Sequence, residues 1–397
     1  MAQPLWKQHN FALLLGGQFV SYIGTEVSDI ALPLIVLVLT GSPAQAGIIA
    51  AIRGFIYLFL AIPVGVLVDR WDNKVIMIVG NLGSGLAIGS IAVALIFHQL
   101  TLTQLYLVNV FEGICFVFAN LARFKSFSKV VSKEQFPTAI ALWNTTFNTA
   151  LLVGPPLGGF LYQTIGAFMT FFTDSLSYFL NILSIFFINI PLRTVGTQHK
   201  AFHHEAQEGI NWLWNHHIIR FLNILISGYA ILETGLYLII VVLAREHHAT
   251  SLTIGLIFAC GAIGGIIASL FLTNILKRFP FHQLLNRITF LSLLIFICFA
   301  FTINNITLAI VTAAFYAINP FTDITISSYF TTAIPEEIRG RVSSIIRLVE
   351  LGSNSLGFFI TGMLLQYMGS RWTIEIFSCL LFFLFIVTFT NKNLDTI

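Results

Sequence analysis

Charge is scarce in this sequence. Lys, Arg, Asp and Glu make up 9% of its 397 residues, as 20 basic and 17 acidic side chains, against about 25% in an ordinary soluble domain. So few charges cannot cover the surface of a water-soluble protein of this length, and a soluble enzyme is excluded. A net charge of +3, thinly spread, gives no electrostatic footprint for nucleic acid. The four cysteines form no C-x-x-C pair and all fall in apolar stretches, where they read as small buried residues without a redox role. There is no G-x-x-x-x-G-K-[ST] phosphate loop for an ATP-driven pump, and no G-x-S-x-G or H-E-x-x-H for an intramembrane enzyme. No cofactor and no metal are expected.

What is plentiful is apolar surface, at 57% of residues with 39 Phe. That content excludes disorder. The apolar runs are about twenty residues or more, the length that spans hydrocarbon as helix and twice that of a barrel strand. Spans are expected at 11–39, 45–68, 75–97, 102–125, 136–160, 168–190, 218–243, 251–276, 286–303, 305–330, 340–367 and 370–390, separated by turns such as Thr40-Gly41-Ser42-Pro43 and Ile303-Asn304-Asn305. The result is an all-α membrane protein of twelve transmembrane helices. The first span lacks a small-residue cleavage site and is read as a retained helix. Loops between spans 1–2, 3–4, 5–6 and 9–10 hold no Lys or Arg. The opposite side holds Lys7, Arg70, Lys74, Arg123, Lys125, Lys129, Lys133, Arg193, Lys200, Arg220, Lys277, Arg278, Arg287, Arg339, Arg341, Arg347 and Lys392. The positive-inside bias then puts both termini in the cytoplasm of a multi-pass protein of the cell (inner) membrane.

The two halves echo each other at an offset of 203. Gly154 and Gly159 map onto Gly357 and Gly362, Lys74 onto Lys277, and Ser132-Lys133-Glu134 onto Pro335-Glu336-Glu337. The expected domains are a six-helix bundle over 1–192, a cytoplasmic linker with an amphipathic helix over 193–217, and a second six-helix bundle over 218–397. Parallel halves of this kind place a substrate site at the bilayer midplane and alternate its access by rocking. The linker histidines His199, His203, His204, His216 and His217 share their stretch with Phe202, Ile210, Trp212, Leu213 and Trp214, a pattern that favours a surface helix over a metal site.

An ionisable group inside a span is costly and is a functional candidate by default. Glu26 and Asp29 lie in span 1, Arg53 in span 2, Glu112 in span 4, Glu233 in span 7 and Asp323 in span 10. At helical rise, Asp29 and Glu112 are each roughly 15 Å from the outer end of their spans and Arg53 roughly 12 Å, all near the midplane. Glu26 lies one turn from Asp29 on the same face. The acids are candidates to share exchangeable protons, with Arg53 deciding which stays ionised. Arg53 reads equally as a static partner that holds spans 1 and 2 in register. Glu233 is a candidate substrate contact and Asp323, after Asn319-Pro320, a helix-break or gate residue.

Gly65-Val66-Leu67-Val68-Asp69-Arg70-Trp71-Asp72-Asn73-Lys74 resembles the G-x-x-x-D-R-x-x-R-K loop of the major facilitator superfamily, with Asn73 at the first of its terminal basic positions. Gly154-Pro155-Pro156-Leu157-Gly158-Gly159 resembles the G-P-x-x-G-G element of its drug antiporters. Ala31-Leu32-Pro33, Leu39-Thr40-Gly41-Ser42, and Glu208-Gly209 ahead of Trp212 resemble the branch of macrolide-efflux and enterobactin-exporter proteins. Where many proton antiporters of the superfamily carry R-x-x-Q-G, this chain has Asn109-Val110-Phe111-Glu112-Gly113.

The resemblance implies two pseudo-symmetric six-helix bundles, with spans 1, 4, 7 and 10 lining a central cavity. It implies a gating role for Gly65, Asp69, Arg70, Lys74, Gly154, Pro155, Gly158 and Gly159. A topogenic charge cluster and plain glycine packing are the simpler readings of those two motifs. The expected function is proton-driven export of small amphipathic, drug-like molecules by a monomer. Its partners are the small-molecule substrate, protons and the lipid bilayer, with no nucleic acid. Siderophore export, an uncoupled facilitator and, less well supplied with basic groups, a lipid flippase are the alternatives.

Overall fold

The computed structural model describes residues 5–188, 202–276 and 278–391. Arg193, His199, Lys200, Lys277 and Lys392, and the expected boundary at 192, lie outside the described residues, as do the side chains of Lys7, Lys133, Phe202, His203 and His204. The helices are α1 (His9–Thr40), α2 (Pro43–Arg70), α3 (Asn73–Ile96), α4 (Leu102–Val130), α5 (Phe136–Thr164), α6 (Ala167–Phe186), α7 (Phe202–Asn215), α8 (His217–Glu246), α9 (Ser251–Leu276), α10 (Phe281–Cys298), α11 (Asn305–Tyr316), α12 (Asn319–Ala333) and α13 (Glu336–Thr390). Among the described residues, nine helical segments pass as membrane spans on length and composition. One of them runs through α11 and α12, and α13, at 55 residues, holds two crossings joined at Gly369 (φ 78°). With α5 and α6, twelve passes result, six in each half.

Span 10 departs from its expected continuity. Pro320 has no N–H to give and disfavours helix at the residue before it, and the chain breaks between Tyr316 and Asn319. The repeat is also less uniform than one offset. The helices α4 and α11 both start at residues 203 apart, Leu102 and Asn305, and their N-caps Thr101 and Asn304 keep that spacing. The positive-φ glycines Gly166 and Gly369, which open the last pass of each half, do the same. The first three helices, however, start 208 residues after their counterparts, at His217, Ser251 and Phe281 against His9, Pro43 and Asn73. The segment from α10 to α11 is five residues shorter than that from α3 to α4. Lys74 therefore corresponds to His282, and its pairing with Lys277 is a coincidence of the shorter offset.

The chain divides into two compact units, Met1–Val195 with Thr250–Ala259, and Gly196–Ala249 with Cys260–Ile397. In lipid, helices associate through close packing of small residues, and the first unit uses glycine for this. A Cβ on Gly24 of α1 would come within 3.1 Å of Asp174 Cα on α6, and one on Gly158 of α5 within 3.0 Å of Val27 Cα on α1. Gly154 packs on Glu26 in the same seam. In the second unit Gly357 of α13 meets Ile231 and Thr234 of α8, where the Thr234 hydroxyl donates to the Asn354 carbonyl at 3.0 Å. The helix α7 packs within this second unit: Leu213 is buried with Ile219, Ile334, Val342 and Ile346, and Arg341 donates to Glu208 at 2.8 Å. Its Ile210 and Trp214 stay exposed.

Candidate functional site

The first unit gathers its intramembrane charges. Asp29 comes from α1, Arg53 from α2 and Glu112 from α4. Arg53 Nε donates to Glu112 Oε2 at 2.9 Å, and Arg53 Nη1 lies 3.7 Å from Asp29 Oδ2. The guanidinium also lies over the Phe116 ring, 5.4 Å from its centroid. Exposure divides the cluster: the Glu112 side chain is 1% exposed, that of Arg53 25% and that of Asp29 42%. Glu112 is held from both sides, because the Tyr178 hydroxyl of α6 donates to its other oxygen at 3.2 Å. A buried carboxylate with a charge-assisted bond on one oxygen and a hydroxyl on the other is satisfied as an ion. Asp29 has the looser contact and the wetter surroundings.

Asn109, at the position where the superfamily motif has Arg, donates its amide to the Leu105 carbonyl of its own helix at 2.8 Å. Arg53, one helix away, supplies the guanidinium to Glu112 instead. Glu26, a turn before Asp29, is half-buried over Gly154. Two buried groups of this unit escaped the sequence reading. Arg123, counted there as a cytoplasmic charge, is 4% exposed within α4 and has no ion pair among the described residues. Asp174 of α6 is fully buried. Its signal was available: Thr170, Asp174, Ser177, Tyr178 and Asn181 repeat at helical spacing as one buried polar stripe.

The second unit holds Glu233 and Asp323 apart from any such core. Glu233 on α8 accepts from the Asn319 amide at 2.7 Å, just where the break precedes α12, and both acids are exposed. Arg347 of α13, counted from the sequence among the cytoplasmic charges, pairs at 3.0 Å with Glu350, which the sequence reading missed.

In the loop motif, Asp69 pairs with Lys125 of α4 at 2.6 Å. Lys74 donates to the carbonyls of Phe186 and Ile188 at 2.7 and 2.9 Å, a cation on the C-terminal end of α6. Arg70 is exposed, and nothing crowds the Cα of Gly65. In α5, Gly159 packs on Ser251 and Leu252, and the Pro155 carbonyl faces Gly255, all within the first unit. A separate groove of about 880 Å³ between α3, α4 and α6 is lined by Gly85, Gly89, Phe168, Phe172 and Phe179, with Ser90 and Gln104. No ionisable side chain lines it, and it is distinct from the carboxylate cluster.

The Major Facilitator Superfamily profile matches residues 14–350, and again 222–394. This chain belongs to the major facilitator superfamily. It is 21% identical over 377 residues to the multidrug efflux pump Tap of Mycobacterium tuberculosis (strain ATCC 25618 / H37Rv), covering 90% of this chain and 87% of that protein. It is 21% identical over 271 residues to the enterobactin exporter EntS of Citrobacter koseri, covering 67% of this chain and 64% of the exporter. Among solved structures, a bacterial homologue of the human lysosomal transporter Spinster superposes with a TM-score of 0.77 at 15% identity, over 99% of each chain. The nucleoside transporter NupG superposes with 0.74 at 14% identity, over 96% of this chain and 99% of that one. The fold is the superfamily's two pseudo-symmetric six-helix bundles, and the chain is a membrane transporter, not an enzyme.

Proposed function

We propose that this transporter is a secondary active exporter of small amphipathic molecules, which trades protons for cargo by alternating access. The observation that carries the reading is Arg53 held between Asp29 and Glu112, at 3.7 and 2.9 Å, within one six-helix bundle. One cation against two acids, with Glu26 a turn away, leaves the cluster with more carboxylates than it can neutralise. Such a site stays favourable in lipid by binding protons or a cationic cargo. Glu112, doubly bonded and buried, is the fixed anion. Asp29 and Glu26, half open, are the exchanging groups. Competition between proton and cargo for one cluster is sufficient for antiport. Glu233 contacts cargo, and Asp323, beyond the Asn319-Pro320 break, sits at a flexing point of the tenth pass. The Asp69 loop and the glycines of α5 form the gate elements. The Lys and Arg distribution supports a cell-membrane protein with both termini cytoplasmic.

The test uses the full-length protein in proteoliposomes with an imposed pH gradient and ethidium as cargo. Glu26→Gln, Asp29→Asn and Glu112→Gln are compared with wild type, and at least one is expected to lose gradient-driven transport. Unchanged transport in all three removes the coupling role. Siderophore export is a second reading, favoured by the enterobactin-exporter relatives. Iron-limited accumulation of a siderophore on disruption of this transporter, with no change in dye export, would select it.

A further inference from the structure

The strongest unassigned group is the carboxyl of Asp174. It is 0% exposed, between α6 and a glycine-thinned face of α1. Its Oδ2 lies 2.5 Å from Ser28 Oγ, and its Oδ1 accepts from Thr25 Oγ1 at 3.4 Å. No basic side chain forms an ion pair with it among the described residues. Arg53, the cation of this cluster, is engaged with Glu112 and Asp29.

The surroundings of this carboxyl suit its neutral form, and the hydroxyls beside it can accommodate its hydrogen. Ser28 Oγ also lies 3.0 Å from the Thr25 carbonyl oxygen. A hydroxyl has one hydrogen and a carbonyl only accepts. The single Ser28 hydrogen goes either to Asp174 Oδ2 or to the Thr25 carbonyl, and in the second case a neutral Asp174 supplies the hydrogen of the 2.5 Å contact. Deprotonated, Asp174 would be a buried anion facing two weak hydroxyl donors and three further acids, which is costly in this surrounding.

The same geometry links Asp174 to the ion cluster. Thr25 Oγ1 is 3.5 Å from the Tyr178 hydroxyl, and that hydroxyl donates to Glu112 at 3.2 Å. Asp174, Thr25, Tyr178, Glu112, Arg53 and Asp29 form one polar chain from a dry seam to a half-exposed carboxylate. The ionisable groups around the seam are Glu26 and Asp29 of α1, Arg53 of α2, Glu112 of α4, and Asp174 and Tyr178 of α6.

We propose that Asp174 is a further proton carrier of the transport cycle, with Ser28 as the hydroxyl that holds its proton in place. The inference rests on the proton-antiport reading and extends it to a residue on α6. Loading adds one proton to the Asp174 carboxylate and gives the neutral acid. Unloading returns that proton toward Asp29 and the aqueous side, and no other bond changes. Neutral Asp174 lets α1 and α6 stay packed. Ionised Asp174 loosens that seam, so proton release is tied to helix movement.

The test measures two readouts on full-length protein. In proteoliposomes, Asp174→Asn should lose gradient-driven ethidium transport by on the order of tenfold. In detergent, a pH-difference infrared spectrum of wild type should show a protonated-carboxyl band that Asp174→Asn lacks. Should Asp174→Asn fail to fold, Ser28→Ala keeps the carboxyl and should shift that band, because its shortest hydrogen bond is gone. Gradient-driven transport at the wild-type level in Asp174→Asn, or a band unmoved in Ser28→Ala, overturns the inference while the antiport reading stands. Wild-type ethidium transport indifferent to the pH gradient overturns both.

Discussion

The two units solve the same packing problem with opposite chemistry. Where α4 and α6 of the first unit bring Glu112 and Asp174, the equivalent positions of the second unit, 203 residues on, are Phe315 and Phe377. Both rings pack on Phe296, at 5.8 and 6.2 Å between centroids. Phe299 lies 6.3 Å from Phe315 in the same cluster. Arg53 corresponds, at the 208 offset, to Gly261, whose open side faces the Tyr316 ring. One bundle therefore keeps a polar chain through its centre and the other a dry aromatic one. Edge-to-face and tilted rings hold helices together by shape alone. Carboxylates in lipid hold helices together only while their charge is matched. The difference leaves the first unit with buried carboxyls at two positions where the second has phenyl rings.

The largest expected break is Glu112→Gln. It takes the buried partner from Arg53 and leaves the guanidinium with Asp29 alone, which should cost about 3 kcal/mol of stability, together with a loss of gradient-driven transport. Its counterpart Phe315→Leu should cost about 1–3 kcal/mol through lost packing and leave the pH dependence of transport alone. Thermal melts in detergent at several pH values separate the two: only the first variant should change their pH dependence. Arg53→Lys comes next. Lysine keeps the charge but has no fork to reach Glu112 and Asp29 together, so coupling should weaken by about tenfold with little change in folding.

A third pair sharpens what the halves share. Gly154→Leu in α5 and its equivalent Gly357→Leu in α13 both force a side chain against the neighbouring helix, at Glu26 and at Ile231. Each should destabilise by about 1–3 kcal/mol or more. A large loss in one and none in the other would mean that the repeat does not extend to packing. Smallest is Lys125→Ala. Its side chain and that of Asp69 are 31% and 40% exposed, and an exposed pair contributes at most about 1 kcal/mol. A melting temperature near wild type is expected, while any change in transport rate would have to come from gating.

Much of this was legible before the structure. Apolar runs of span length and the Asp69-Arg70 loop identify the fold, and counting helical rise puts Asp29, Arg53 and Glu112 at one depth. Depth alone cannot say which face of a helix a residue occupies, yet the structure joins those three. Asp174 escaped for a specific reason. Span 6 is crowded with Phe, and a single acid near its start looks like an interfacial residue. Only the helical spacing of Thr170, Asp174, Ser177, Tyr178 and Asn181 marks it as an inner face. The change of repeat offset from 208 to 203 was hidden too, because a five-residue shortening between α10 and α11 leaves no mark in composition. The break at Asn319-Pro320 was legible as local chemistry, but the contact of Asn319 with Glu233 required the fold.

The most direct test of a proton-trading cluster around Arg53 is to count protons against cargo. Ethidium efflux and the opposing proton flux are recorded together in proteoliposomes carrying wild type or Asp29→Asn. Wild type should move protons against dye in a fixed ratio that vanishes when a protonophore collapses the gradient, and Asp29→Asn should lose that counterflux. Dye efflux in wild type with no accompanying proton movement, or an undiminished counterflux in Asp29→Asn, would contradict the account.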